Sequence, residues 1–207
     1  DINGMPFVHH QLNYLKDQGV LRVVLCVGHM GDLIQESVGN GEAFGLEVSY
    51  SFDGPALLGT GGALRRALPQ LGEQFFVLYG DSFLPIQFRD VQEAFVAQGK
   101  PALMTIMENK GQWDKSNVVY RGGELISYNK ESPNPEMTFI DYGIGVLSAK
   151  TLDQYPESEK FELSNLYHEL AKKGQLAGHQ VQERFYEIGS PEGLEDTKAY
   201  FKERHVI

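Results

Sequence analysis

The sequence predicts an α/β fold three layers deep, with helices on both faces of a mixed, mostly parallel sheet and a small antiparallel lobe beyond about residue 108. Three observations predict it. Nearly continuous apolar runs recur at 22–27, 75–79 and 102–107, the mark of strands covered on both faces. Amphipathic helical stretches lie between them. After residue 108 the rhythm changes to a short hairpin and one long strand.

The elements follow in order. Pro6 opens a helix over 6–19 that Gly19 ends, with Phe7, Val8, Leu12 and Leu15 on its apolar side. Strand 22–27 carries Cys26 and predicts that it is buried. A short helix at 32–38 and an alternating strand at 46–52 come next. A glycine turn leads into a helix at 61–68, then strand 75–79, helix 91–97 and strand 102–107. Residues 118–120 and 124–128 read as a hairpin around Arg121-Gly122-Gly123. Residues 129–137 hold Pro133, Pro135 and two asparagines, so they form a loop. A long strand at 139–147 and a helix at 163–172 follow, the helix showing Leu163, Leu166, Leu170 and Ala171 on one side. Short strands at 179–181 and 184–186 lead to a final helix capped by Ser190, with Pro191 at its first position.

The 207 residues suit one domain, 1–207, with a first half of about 1–108 and a second of about 109–207. Eighteen basic against 28 acidic side chains give a net charge of −10, which argues against nucleic acid as a partner. It leaves phosphate ligands open, because a divalent metal can offset local negative charge. No apolar run reaches membrane-spanning length, and the polar start Asp1-Ile2-Asn3-Gly4 is not a signal peptide. The single cysteine excludes an intrachain disulfide and a thiolate zinc cluster, and fits a reducing, cytoplasmic setting. A homo-oligomer stays open.

In such sheets, ligands sit beyond the carboxyl ends of the strands. Four constellations lie there. Gly80-Asp81 ends the apolar strand 75–79, where Gly80 admits a close ligand and Asp81 offers a hard oxygen for Mg²⁺; otherwise Asp81 caps the next turn. Gly59-Thr60-Gly61-Gly62 opens a helix and could bring backbone N–H groups to a base or phosphate, though a plain glycine turn is the simpler account. Glu187, before the Ser190 cap, is a second metal ligand or a solvated charge. Asn117, Asn129, Lys130, Asp141 and Gly143 form a polar set in which Lys130 could hold a phosphate and the rest sugar hydroxyls; the alternative is an ordinary hairpin surface. His9 and His10 read as surface or interface residues, and His168 and His179 lack a recognisable partner. With no Gly-x-Ser-x-Gly elbow and Cys26 inside a strand, covalent catalysis is not expected.

Together the segments resemble the sugar-1-phosphate nucleotidyltransferases, through nearly the whole chain. Asn3-Gly4-Met5-Pro6-Phe7 looks like the family's entry into its first helix, and Leu58-Gly59-Thr60-Gly61-Gly62-Ala63 like its base-binding turn. Gly80-Asp81 looks like its metal-binding strand end, Asn129-Lys130 stands in place of its sugar-phosphate Glu-Lys pair, and Tyr186-Glu187-Ile188-Gly189-Ser190-Pro191 resembles its second metal motif. Ser116-Asn117-Val118, Tyr128-Asn129-Lys130 and Ile140-Asp141-Tyr142-Gly143 look most like the branch that activates manno-heptose 1-phosphate or mannose 1-phosphate with a guanosine nucleotide.

The resemblance implies a Rossmann-like nucleotide-diphospho-sugar transferase fold, its first half for nucleotide and its second for sugar phosphate. It implies an Mg²⁺-dependent transfer from a nucleoside triphosphate to a sugar 1-phosphate, for cell-surface polysaccharide precursors. In it Asp81 and Lys130 are catalytic, Asp81 and Glu187 hold metal, and Gly59 to Gly62 hold the base. A non-catalytic sugar-nucleotide-binding paralogue is the rival. Three departures stand out. The family's opening strand and Gly-Gly-x-Gly-Thr-Arg loop are absent, so the native chain is expected to be longer and this span alone to be impaired. Glu187 stands where many relatives carry Asp, and Asn129 replaces an acidic residue.

Overall fold

The computed structural model describes residues 1–113 and 115–204. The elements run α1 (Phe7–Asp17), β1 (Arg22–Val27), α2 (Gly31–Val38), β2 (Glu47–Phe52), α3 (Gly59–Ala67), β3 (Gln74–Leu78), β4 (Ser82–Phe83), α4 (Phe88–Gln98) and β5 (Ala102–Glu108). Then come β6 (Val118–Arg121), β7 (Glu124–Tyr128), β8 (Phe139–Ser148), α5 (Leu163–Lys172), β9 (Leu176–Val181), β10 (Tyr186–Glu187) and α6 (Pro191–Arg204). None of these helices is long and apolar enough to cross a membrane.

The main sheet has six strands, in the order β7-β6-β8-β5-β9 with β3 also on β8. β8 runs antiparallel to both β3 and β5, while β9 is parallel to β5. Strands β3, β5 and β9 therefore share one direction and β8 alone opposes them in the centre. The hairpin β6–β7 extends this same sheet, through Val118 opposite Phe139. β1 and β2 form a separate parallel pair.

Burial follows the apolar pattern. β5 is buried at every position except Glu108, because β8 and β9 flank its edges and helices cover both faces. One face packs Met104, Ile106 and Leu147 against Leu163, Leu166 and Leu170 of α5. The other packs Leu103, Ile144 and Val146 against Phe88, Val91 and Phe95 of α4. Burying one such side chain stabilises the fold by about 2 kcal/mol.

Five expectations need correction. β1 is mostly half-exposed and Cys26 lies on its exposed side, because among the described residues β1 pairs with β2 alone. Phe75 and Phe76 of β3 are likewise only half-buried. His10 is not a surface residue: it is buried, its ring 4.1 Å from that of Phe201, with Nε2 3.2 Å from the Ile2 carbonyl. α1 turns that side toward α6, which the sequence pattern of α1 alone does not reveal. The strand expected at 184–186 is displaced to Tyr186–Glu187, leaving Arg184 in the loop. His168 does have a partner, with Nδ1 2.7 Å from the Tyr128 carbonyl.

The core of the α5 face makes a quantitative prediction. Leu166 is fully buried, so Leu166→Ala leaves a cavity and costs about 3 kcal/mol. Urea unfolding should show this as a lower midpoint with an unchanged slope.

Candidate functional site

β3 ends at Leu78, and the turn Tyr79-Gly80-Asp81 carries the chain out of the main sheet into β4. β4 pairs antiparallel with β10, setting Ser82 opposite Glu187 and Phe83 opposite Tyr186. The Ile188 N–H also donates to the Asp81 carbonyl at 3.0 Å. Asp81 and Glu187 thus come side by side through backbone pairing. A Cβ built on Gly189 would lie 3.1 Å from Glu187 Oε2 and 3.5 Å from Asp81 Oδ2, so both carboxylates face the same small gap.

The two acids are held differently. Asp81 is exposed, and its Oδ1 accepts only the neighbouring Ser82 hydroxyl. Oδ2 has no hydrogen bond among the described residues. Glu187 is not a freely solvated charge. Its Oε2 accepts the N–H groups of Gly189 and Ser190, and its Oε1 accepts the Ser190 hydroxyl. That fills three of about four acceptor positions on a carboxylate, leaving one. The Ser190 hydroxyl in turn accepts the Gly193 N–H, the side-chain cap expected for α6.

Both acids line a cavity of about 650 Å³. Lys130, Asn117, Asp141 and Gly143 line it too, so the structure brings the second-half polar set to the same place. Hydrogen bonds tie that set together. Asn117 Oδ1 accepts the Asp141 N–H at 3.0 Å, the Asn117 carbonyl accepts the Asn129 N–H, and Asp141 Oδ1 accepts the Gly143 N–H. Among the described residues the amide nitrogen of Asn117 has no acceptor, and it is available as a donor. Burial pushes the Asp141 carboxyl up to about 6, and the Gly143 N–H and Lys130 ammonium offset only part of that effect.

Five expected residues are placed otherwise. Asn129 turns toward its own loop, where its Oδ1 accepts the N–H groups of Glu131 and Ser132, and it does not line this cavity. Its short amide closes the local turn, which competes with reaching a sugar. Gly59 to Gly62 also lie outside the cavity lining. Their N–H groups are taken: Gly61 and Gly62 donate to the Phe161 carbonyl, and Thr60 donates through its N–H and hydroxyl to Glu162. A Cβ on Gly61 would lie 2.2 Å from the Phe161 ring, and one on Gly62 would lie 2.5 Å from the Glu159 carbonyl oxygen. These glycines make room for the 159–162 segment, so the N–H groups of Thr60, Gly61 and Gly62 are not free for a base. An exposed apolar shelf adjoins the turn, with Leu57 and Phe52 beside Gly28 and Gly31 at the ends of β1 and β2.

No protein-family model matches the chain. It is 28% identical over 192 residues to D-glycero-alpha-D-manno-heptose 1-phosphate guanylyltransferase of Campylobacter jejuni, covering 92% of this chain and 84% of that one. The protein of the same name from Aneurinibacillus thermoaerophilus is 26% identical, covering 100% of this chain and 88% of that one. The crystal structure of HddC from Yersinia pseudotuberculosis, solved also with GMP-PN, superposes with a TM-score of 0.80 at 23% identity, over 97% of this chain and 88% of that one. The chain is similar in sequence to these sugar-1-phosphate nucleotidyltransferases.

As such a relative, it adds cavity residues that sequence reasoning passed over. Tyr79 and Tyr128 flank the acidic end, and burial raises both hydroxyls above their ordinary range. The lining also holds an aromatic group, with the Phe185 ring centre 5.1 Å from that of Trp113 and 5.9 Å from that of Tyr142, and Arg184 beside it. The Arg184 guanidinium lies 4.9 Å from the ring centres of both Trp113 and Tyr186 and pairs with Asp196. The Tyr142 hydroxyl is buried without a partner among the described residues. Trp113 follows the end of β5, so the strand-end rule could have found it; Arg184 could not be found without knowing where β10 pairs.

Asp141 gives this nucleotidyltransferase relative a pH signature. Its carboxyl titrates near 3.8 when unfolded and about 6 when folded. Between those values the folded state holds a proton that the unfolded state has lost, so stability falls as pH rises through the window. The loss reaches about 3 kcal/mol above pH 6. Asp141→Asn should flatten the slope of unfolding free energy between pH 4 and 6, measured by denaturant titration at each pH.

Proposed function

We propose that this protein transfers a nucleotidyl group from a nucleoside triphosphate to a sugar 1-phosphate, releasing pyrophosphate and forming a nucleoside diphosphate sugar. The convergence of Asp81 and Glu187 at the acidic end of the cavity, beside Lys130 and Asp141, carries the proposal. The relatives' names support GTP as the donor and manno-heptose 1-phosphate or mannose 1-phosphate as the acceptor.

Charge supports the need for a cation. The cavity lining holds five carboxylates, Asp81, Asp141, Glu187, Glu192 and Asp196, against two cations, Lys130 and Arg184. Two phosphate-bearing substrates would be repelled there unless a cation offset the charge. The donor set fits Mg²⁺, which takes one or two carboxylate oxygens and fills its remaining positions with water and phosphate oxygens. Asp81 Oδ2 and Glu187 Oε2, which face the same gap, are the oxygens that would hold it. When bound, the ion supplies charge neutralisation on the phosphates.

The chain's own groups do the positioning. The base rests on the apolar shelf beside Gly59 and Thr60. Lys130 holds the sugar phosphate by charge, the Asn117 amide donates to a sugar oxygen, and ionised Asp141 accepts a sugar hydroxyl. A sugar-phosphate oxygen then attacks the α-phosphorus in line, the bond to the β-phosphate oxygen breaks, and pyrophosphate carries the electron pair away. The attacking oxygen is already ionised, so no general base is needed. Positioning and electrostatics account for the rate.

A pyrophosphate-release assay across the four common nucleoside triphosphates, against hexose and heptose 1-phosphates, tests this. Asp81→Ala should lower kcat by about a hundredfold with an unchanged melting temperature. Lys130→Ala should act mainly by raising KM for the sugar phosphate. Sugar-nucleotide binding without turnover in any combination would favour the non-catalytic paralogue instead.

A further inference from the structure

We propose that Gly193 and Ser190, in the first turn of α6, are positioning residues that aim the Glu187 carboxylate at the cation it shares with Asp81. The inference deepens the function proposed above, and holds only if those two acids take a divalent cation.

Glycine is the poorest helix former after proline, yet Gly193 is the third residue of α6. It has no left-handed backbone geometry to require it. What requires it is space. A Cβ on Gly193 would sit 1.8 Å from Glu187 Oε1, 2.4 Å from its carboxyl carbon and 2.8 Å from its backbone oxygen. Real Cβ atoms essentially never approach below 3.0 Å, so any other residue would drive the carboxylate away. Glu187 therefore folds its side chain over the start of α6, into a volume that only glycine leaves free.

Ser190 fixes the direction. Its hydroxyl donates to Glu187 Oε1 while accepting the Gly193 N–H, so one oxygen links the carboxylate to the residue that gives it room. The Gly189 and Ser190 N–H groups hold Oε2. Thr197, fully buried, donates its hydroxyl to the Glu187 carbonyl and pins the backbone of the same residue to α6. The extra methylene of glutamate is thus matched by a cavity in the helix. Helix, cap and carboxylate form one unit that turns Glu187 Oε2 toward the gap that Asp81 Oδ2 also faces. Groups that orient a metal ligand typically change metal affinity or activity by ten- to a hundredfold when lost.

The test is Mn²⁺ binding followed by electron paramagnetic resonance, with and without nucleoside triphosphate, alongside steady-state kinetics and melting temperature. Gly193→Ala should weaken Mn²⁺ binding at least about tenfold and lower kcat. Its melting temperature should not fall in step, since alanine favours the helix. Adding Glu187→Asp to Gly193→Ala shortens the acid, relieves the overlap and should recover affinity relative to Gly193→Ala alone. Should Gly193→Ala fail to fold, Ser190→Ala should weaken Mn²⁺ binding and Ser190→Thr, which keeps the hydroxyl, should restore it. Unchanged Mn²⁺ affinity in Gly193→Ala, or in Ser190→Ala, overturns the inference while leaving the cation site standing. Wild-type protein that takes up no Mn²⁺ under either condition overturns the cation site, and this inference with it.

Discussion

The short antiparallel pairing of β4 with β10 is the constraint on which the rest of the site depends. It is only two residues long on each strand, and by itself such a ribbon is barely stable in water. Aromatic packing beneath it supplies the stability. Phe83 of β4 is buried between Tyr14 of α1 and Tyr200 and Phe201 of α6, with ring centres 4.9, 5.8 and 4.8 Å away. Tyr186 of β10 stacks on Tyr200 at 3.9 Å. Rings on one side of the ribbon hold it in register, and Asp81 and Glu187 emerge at its end. The separation of the two acids is therefore set by apolar packing and backbone pairing. Neither carboxylate needs the other to stay in place, which matters because two like charges repel.

The opposite wall of the cavity rests on a different device. Asn117 uses its backbone and its side-chain oxygen to bind the chain before Lys130 and the start of the Asp141–Gly143 segment, joining two strands of the sheet at one residue. That leaves its nitrogen without an acceptor among the described residues and holds Asp141 in a place that water solvates poorly. The raised carboxyl of Asp141 is the electrostatic consequence of that placement. An acid so placed gains from any hydroxyl or cation brought to it, and a bound polyol supplies the donor that the protein withholds. The stability lost by burying Asp141 without enough partners is recoverable as ligand affinity.

How much of this could be read beforehand depends on whether the cause was local. The apolar runs of β3 and β5 declare strands, and Gly80-Asp81 follows one of them, so the strand-end rule reaches Asp81 directly. Ser190-Pro191 declares a helix start, and Glu187 precedes it. The fold class and the two acids were legible because each has a local cause. The half-exposure of β1, the burial of His10 and the role of the 59–62 turn were not, since each depends on what a distant segment does. Phe161 alone decides the last of these: nothing near Gly61 announces that an aromatic ring from the approach to α5 will fill the space above it. Asn129 failed for a subtler reason. An asparagine before Lys130 fits a sugar contact and a local turn equally well, and the turn wins because Glu131 and Ser132 present two N–H groups at no cost in reach.

The glycines sharpen the point. Glycine in a motif is usually credited to a ligand's need for close approach, but the same absence of Cβ serves packing. At 61, 62 and 193 the missing Cβ is replaced by another part of the protein: a phenyl ring, a carbonyl oxygen, a carboxylate. At 189 the vacant position looks onto two acids. At Gly80 it meets no protein atom within 4 Å. Gly4 is equally open, but Gly80 stands next to Asp81, on the strand end that the sheet's direction already favours. At 61, 62 and 193 the protein has filled the space with itself, whereas at Gly80 the backbone is left bare beside a candidate ligand.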